Sequence, residues 1–163
     1  GWVIPWGTPV TLLGETTHEV AEAQREMVRI GIERPAAMAT GTPDQWSGGD
    51  DLASYPVVGF TDVAGARAAG SDPYVVDLRR DDERQAGHIV GTHHLQIHQL
   101  LTRIDEVPDD RPVWLHCAAG YRASVGASIL AAAGRDVVLV EGDFYPNAIK
   151  AGLELAAQEP AHA

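Results

Sequence analysis

Four residues, Val113-Trp114-Leu115-His116, run directly into the turn Cys117-Ala118-Ala119-Gly120-Tyr121, and a helix-forming stretch from Arg122 to Ala133 follows at once. A short apolar run bounded by a glycine turn reads as a buried strand. Val125, Ile129 and Leu130 then repeat at helical spacing until Gly134 stops the helix, and Val137 to Val140 is the next apolar run. Strand, helix, strand in that order is a crossover unit, which requires a parallel sheet covered by helices. The alternation extends upstream. Tyr55-Pro56-Val57-Val58 is an extended lead-in, Thr61 is the expected N-cap of a helix over 62–69, and Tyr74-Val75-Val76-Asp77 is a buried strand ending in a carboxylate. Between these runs, Arg80 to Gln85 reads as a polar helical turn, Leu95 as part of a short strand, and Leu100, Leu101 and Ile104 as a helical stripe. A last helix is expected over 148–157. The fold class is α/β, with a short central parallel sheet flanked by helices.

Residues before 52 follow a different pattern. Ile4-Pro5-Trp6-Gly7-Thr8-Pro9 reads as a turn and Val10 to Gly14 as a short strand. Thr16-Thr17-His18-Glu19 has the spacing of a capping box, with Thr16 as N-cap. Val20, Ala23, Met27 and Ile30 give that helix an apolar stripe, Gly31 ends it, and a further strand is expected over 35–40. Gly, Pro, Asp and Ser then dominate. The resulting boundaries are 1–41, a partial strand–helix segment; 42–51, a linker; 52–154, the main domain; and 155–163, a disordered tail.

Charge narrows the functions available. Twenty-three acidic residues against 12 basic ones leave a net charge of −11, without the basic stripe that nucleic acid or an anionic membrane would require. No apolar run approaches the roughly 18 residues that span a bilayer, and no secretory leader opens the chain. The first residue is Gly rather than Met, the expectation for a piece of a longer protein. The single cysteine excludes an internal disulfide and fits a reducing, cytoplasmic setting.

Cys117 to Arg122 is where a strand ends and a helix begins. The first N–H groups of a helix have no internal partner, and the helix dipole adds about half a positive charge there. If the loop curls, those amides converge into a nest for negative charge. Ala118 and Ala119 are small and Gly120 permits positive φ, so tight curling is feasible. A cysteine facing such a nest reacts as its thiolate, and Arg122 adds a planar fork suited to oxyanions. Taken alone, the pattern leaves a buried, inert cysteine as the alternative.

Three motifs in order remove most of that ambiguity. Asp77-Leu78-Arg79, then Glu83, then Gly87-His88-Ile89-Val90-Gly91-Thr92 resembles a signature of the rhodanese family. His116 to Ser124 resembles its active-site segment, and Ile129-Leu130, Gly134 and Val137 to Gly142 resemble its closing helix, strand and turn. The resemblance covers roughly residues 52–150 and implies a rhodanese-like three-layer fold. It further implies a sulfurtransferase in which Cys117 is the catalytic nucleophile. Cys117 would take a sulfane sulfur from thiosulfate or a thiol persulfide, and a thiol or cyanide would remove it. Ala118, Ala119, Gly120, Tyr121 and Arg122 would form the binding loop, with Asp77 and Ala123 in support. The loop is six residues from Cys to Arg inclusive. Family members with one residue more resemble phosphatases, so this length favours sulfur over a phosphatase or arsenate reductase. A non-catalytic docking or regulatory module is the other alternative.

Other residues receive plainer expectations. Asp77 would hydrogen-bond loop amides or orient Arg122, and Arg79 and Glu83 would pair with each other. His88 would satisfy a core hydrogen bond, Trp114 would lie in the core, and Tyr121 would line the mouth or simply pack. Thr92, His93 and His98 depart from the family pattern and would reshape the pocket rim. His93 and His94, adjacent on a strand, point to opposite faces, and nothing completes a zinc shell, so neither metal nor cofactor is expected. His116 should point away from the nucleophile. Residues 1–41 resemble the second half of a degenerate rhodanese repeat, and residues 4–13 resemble the segment preceding the last rhodanese domain in fusions with metallo-β-lactamase-fold enzymes similar to persulfide dioxygenases. That implies an upstream partner domain of this kind, besides a small-molecule donor and an acceptor thiol.

Overall fold

A computed structural model describes residues 3–156, which fall into two compact units meeting between Ser54 and Tyr55. The first unit is a single crossover. Strand β1 (Thr11–Gly14) and strand β2 (Ala37–Thr40) pair in parallel, with Thr11 opposite Ala37, and helix α1 (Thr17–Arg29) connects them. The capping box forms as the spacing predicts: Thr16 Oγ1 accepts from Glu19 N at 3.2 Å, and Glu19 Oε2 accepts from Thr16 N at 3.3 Å. The expected stripe is half right. Val20 is buried and Met27 half-buried, but Ala23 and Ile30 are exposed, and Thr17, Val20, Ala21 and Gln24 line an open groove with Met38 to Thr40 of β2. The stretch expected as a linker contains one short helix, α2 (Pro43–Trp46).

The second unit is built on a five-stranded parallel sheet. Its strands are β3 (Val57–Gly59), β4 (Tyr74–Asp77), β6 (His93–His94), β7 (Val113–His116) and β8 (Val137–Glu141), in the order β3-β8-β7-β4-β6. Their central members are buried along nearly their whole length, which is why they read as unbroken apolar runs. Helices α3 (Phe60–Ala68) and α6 (Phe144–Lys150) cover one face. Their core joins Phe60 and Val63 to Val75, Val140, Phe144 and Ala148, with half-buried Trp114 against it. Helix α5 (Tyr121–Ala132) packs on the sheet through Ala123, Gly126, Ala127 and Leu130, rather than through the Val125 and Ile129 expected from the sequence. Gly126 sits where an added Cβ would come within 2.4 Å of Leu78 Cδ1, so that position takes no side chain unless Leu78 moves.

Several boundaries shift for local reasons. The N-cap of α3 is Gly59, not Thr61, because Asp62 Oδ2 reaches back to Gly59 N at 2.8 Å. Leu95 lies just past β6, its N–H donating to Asp77 O at 3.1 Å. The stripe near residue 100 forms two 3₁₀ turns, Ile97–Gln99 and Ile104–Glu106, with Leu100 buried and Leu101 exposed. Helix α6 starts four residues before the expected Ala148, anchored by Phe144 N donating to Ala118 O at 2.8 Å. The first two residues of the expected tail form strand β9 (Leu155–Ala156), antiparallel to β5 (His88–Ile89); the rest of that tail lies outside the described residues. None of the described helices is long and apolar enough to cross a membrane.

Candidate active site

Asp77 and Cys117 emerge side by side at the carboxyl ends of β4 and β7, where open parallel sheets place their ligands. Cys117 is 2% exposed, and the loop after it is tied down at both ends. Ala118 O accepts from Phe144 N, and Gly120 O accepts from Ser124 N at 2.9 Å. Gly120 is the N-cap of α5 with φ +91°, a conformation that a side chain would strain. The turn therefore delivers the chain from β7 into α5 within Cys117–Gly120, leaving the first amides of α5 without helical partners. Ala119 sits in the adjoining groove, Ala123 is fully buried under the helix start, and Tyr121 is 80% exposed, standing out from the loop rather than packing.

Charged residues behind the loop are arranged differently from the sequence expectation. Asp77 neither meets loop amides nor orients Arg122. Its oxygens accept from Arg79 Nε at 2.9 Å, Arg79 Nη2 at 2.7 Å, Arg79 N at 3.0 Å and Arg84 Nη1 at 3.3 Å. Burial alone would raise the Asp77 carboxyl; the Arg79 hydrogen bonds, with the charges of His116 and Arg79, override it and bring it down to about 2. Arg79 also donates to Gly87 O at 2.9 Å, and its guanidinium lies 3.7 Å from the Phe144 ring centroid. It does not pair with the Glu83 carboxylate, whose partner is Arg122, 39 positions downstream. Arg122 Nη1 donates to Oε2 at 2.6 Å and Nη2 to Oε1 at 2.7 Å, a bidentate ion pair. Glu83 belongs to helix α4 (Asp81–Ala86), where Oε2 also accepts from Arg80 N at 3.0 Å. The Glu83 carboxylate, against the opposing effect of burial, holds Arg122 more firmly protonated than a free arginine. The sequence points to Glu83 but to the wrong partner for it, Arg79 instead of Arg122.

The histidines divide by burial. His116 is fully buried on the far side of β7, stacked on Phe144 at 5.3 Å and edge-on to Phe60 at 5.7 Å. Neither ring nitrogen has a hydrogen-bond partner. Burial pushes its pKa down to about 4; Asp77, 3.9 Å away, and the Cys117 backbone favour the proton but do not prevail. His88 Nδ1 contacts Arg84 O at 3.3 Å, His93 stacks on Tyr74 at 3.8 Å, and His94 Nε2 contacts Arg79 O at 2.8 Å. Thr92 is buried, donating to Ile89 O at 2.7 Å and accepting from Arg84 at 3.0 Å, so it braces the frame rather than the rim. Among the described residues no group of three or more His, Cys, Asp or Glu could hold a metal ion.

Two open grooves flank the loop. One, of about 470 Å³, is lined by Arg79, Asp82, Glu83, Ala118, Phe144 and Tyr145 among others. The second, of about 700 Å³, touches Ala119, Asp62, Glu141 and Asn147. Asp143 borders both. This arrangement can hold a reactive sulfur at the end of a strand, under a helix start, with one arginine beside it and carboxylates around the rim.

Comparison with known proteins supports the same frame. A rhodanese-related protein of Thermoplasma volcanium superposes with a TM-score of 0.57 at 23% identity, covering 64% of this chain and 100% of that one. A Rhodopseudomonas palustris protein described as a possible tyrosine phosphatase does so with a TM-score of 0.54 at 23% identity, covering 63% and 85%. Among curated proteins, the uncharacterized protein YqhL of Bacillus subtilis is 33% identical over 39% of this chain and 51% of its own length. The HTH-type transcriptional regulator Rv0324 of Mycobacterium tuberculosis is 29% identical over 71% of this chain and 56% of its own length. The chain thus spans about half the length of the curated relatives it matches. The family description for the rhodanese-like domain matches residues 61–146, just over half of the chain and the whole path from α3 to the start of α6. The chain belongs to the rhodanese-like domain family.

Proposed function

We propose that the second unit is a sulfurtransferase working through a persulfide on Cys117. One observation carries the reading: a six-residue loop from Cys117 to Arg122 that puts the cysteine at a strand end and opens a helix at Gly120. In the first half-reaction the Cys117 thiolate attacks the outer sulfur of thiosulfate or of a thiol persulfide. The donor S–S bond breaks, sulfite or the thiolate leaves with the electron pair, and Cys117 carries an extra sulfur. Amides at the start of α5 stabilise the terminal anionic sulfur. In the second half-reaction an acceptor thiolate or cyanide attacks that sulfur, and the Cys117 thiolate departs. Both halves balance without a cofactor. The resemblance of residues 4–13 supports an upstream metallo-β-lactamase-fold domain as a neighbour in sulfur handling, and the lone cysteine fits a cytoplasmic setting.

Intact mass spectrometry after exposure to thiosulfate or glutathione persulfide tests this. One added sulfur on the Cys117 peptide, and loss of all transfer in Cys117→Ser, is the expected result; residual transfer in that variant refutes it. The similarity to a transcriptional regulator favours one second reading, a regulatory module whose cysteine is loaded but turns over little. Persulfide formation without thiosulfate-to-cyanide turnover would establish that reading instead. Sustained hydrolysis of an aryl phosphate would replace both with phosphatase chemistry.

A further inference from the structure

The Arg122 fork, the natural seat for an oxyanion beside Cys117, already holds a carboxylate. Glu83 meets both terminal nitrogens of Arg122, at 2.6 and 2.7 Å, and Glu83 is itself fixed by accepting from Arg80 N at 3.0 Å in the α4 cap. The pair is mostly shielded, with 14% of the Arg122 and 24% of the Glu83 side chain exposed. Two further cations stand nearby: Arg79 is buried and committed to Asp77 and Gly87 O, and Arg80 is held by Asp82 at 2.6 Å, 3.7 Å from Glu83 Oε2. Around the mouth stand Asp82, Asp143, Asp62 and Glu141. A dianion entering here must displace a carboxylate from a bidentate pair or sit beside it, and must cross an acidic rim; either is unfavourable. A persulfide needs neither, because only its terminal sulfur has to reach Cys117 and the loop amides.

We propose that Glu83 is a specificity-determining residue: by filling the Arg122 fork as an internal anion, it turns the site against oxyanions such as thiosulfate and phosphate and toward persulfides of low net negative charge. This rests on the sulfur-transfer reading and names its substrate class. The chemistry is then attack of the Cys117 thiolate on the outer sulfur of R–S–S⁻, with RS⁻ leaving and Cys117–S–S⁻ forming. Discrimination comes from charge placed against the competitor rather than from contacts to the favoured donor.

Glu83→Gln tests it, since glutamine keeps the size and the acceptor for Arg80 N while removing the charge. The readout is the ratio of kcat/KM for thiosulfate, a dianion, to that for cysteamine persulfide, a zwitterion. The ratio is expected to rise about tenfold, equivalent to about 1.4 kcal/mol, and inorganic phosphate should become a tighter competitive inhibitor. If Glu83 merely shapes the loop, both donors change together and the ratio stays put, which overturns the inference. Should the variant not fold, the wild type supplies a second arm. Raising salt should increase kcat/KM for thiosulfate and leave the zwitterion unmoved, as screening weakens the acidic rim; a fall for thiosulfate overturns the inference. Absence of added sulfur on wild-type Cys117 with either donor instead sinks the sulfur-transfer reading, and this inference with it.

Discussion

His116 should make the second unit lose stability as the pH falls from 6.5 toward about 4. Its side chain is fully buried, packed against Phe60 and Phe144, and its ring nitrogens have no hydrogen-bond partners. Burial lowers its pKa from 6.5 to about 4. The folded protein therefore binds fewer protons than the unfolded chain between those values, and stability is full above pH 6.5 and falls as the solution is acidified toward pH 4. Linkage between these two values gives a loss of about 2 kcal/mol on going from pH 7.5 to 5.0, a large share of the roughly 5–15 kcal/mol that holds a domain together. The Asp77 carboxyl, depressed to about 2, does not titrate there. His116→Phe removes the titrating group and the two unpartnered nitrogens while keeping an aromatic ring in the stack. Urea unfolding at pH 7.5 and 5.0 decides the matter. The variant should equal or exceed the wild type at pH 7.5 and lose about 2 kcal/mol less on acidification. Parallel losses in the two proteins would mean that His116 does not carry the acid response.

Arg79→Lys should cost about 3 kcal/mol or more by thermal or chemical melting, because a single ammonium cannot reproduce the bidentate grip and leaves the buried Asp77 charge under-compensated. A loss below about 1 kcal/mol would show that Arg84 alone suffices. Gly120→Ala should cost about 1–2 kcal/mol from its φ of +91°, and should slow persulfide formation on Cys117 as the turn distorts. Unchanged stability and loading would refute the strain argument. Residues 1–54 expressed alone should show no cooperative melt by circular dichroism, since one long helix, one single-turn helix and two short strands are near the size that cannot bury its own core without a staple.

What could be read from the sequence, and what could not, separates by the range of the interaction that decides it. Strands β4 and β7 end where the apolar runs end because each is buried on both faces; local composition suffices. The Thr16–Glu19 cap closes within one helical turn and was equally legible. Helix α5 follows the periodicity at Leu130 but not at Val125 and Ile129, because its buried face turns on a close approach: Leu78 stands so near Gly126 that only glycine fits there without Leu78 moving. The start of α6 depends on Ala118 O, a partner across the sheet edge that no local signal announces. The ion pairs show the same division. Arg79 and Glu83 are four apart, the spacing of a helical pair, but Arg79 lies on the strand exit before α4 begins and turns inward to Asp77, two residues back. Glu83 is thereby freed for an arginine 39 positions away that reaches the same sheet edge by another strand. The nucleophile could be named from its own loop, whereas the charge that sets what approaches it depends on the convergence of β4 and β7, and that convergence is a property of the folded sheet alone.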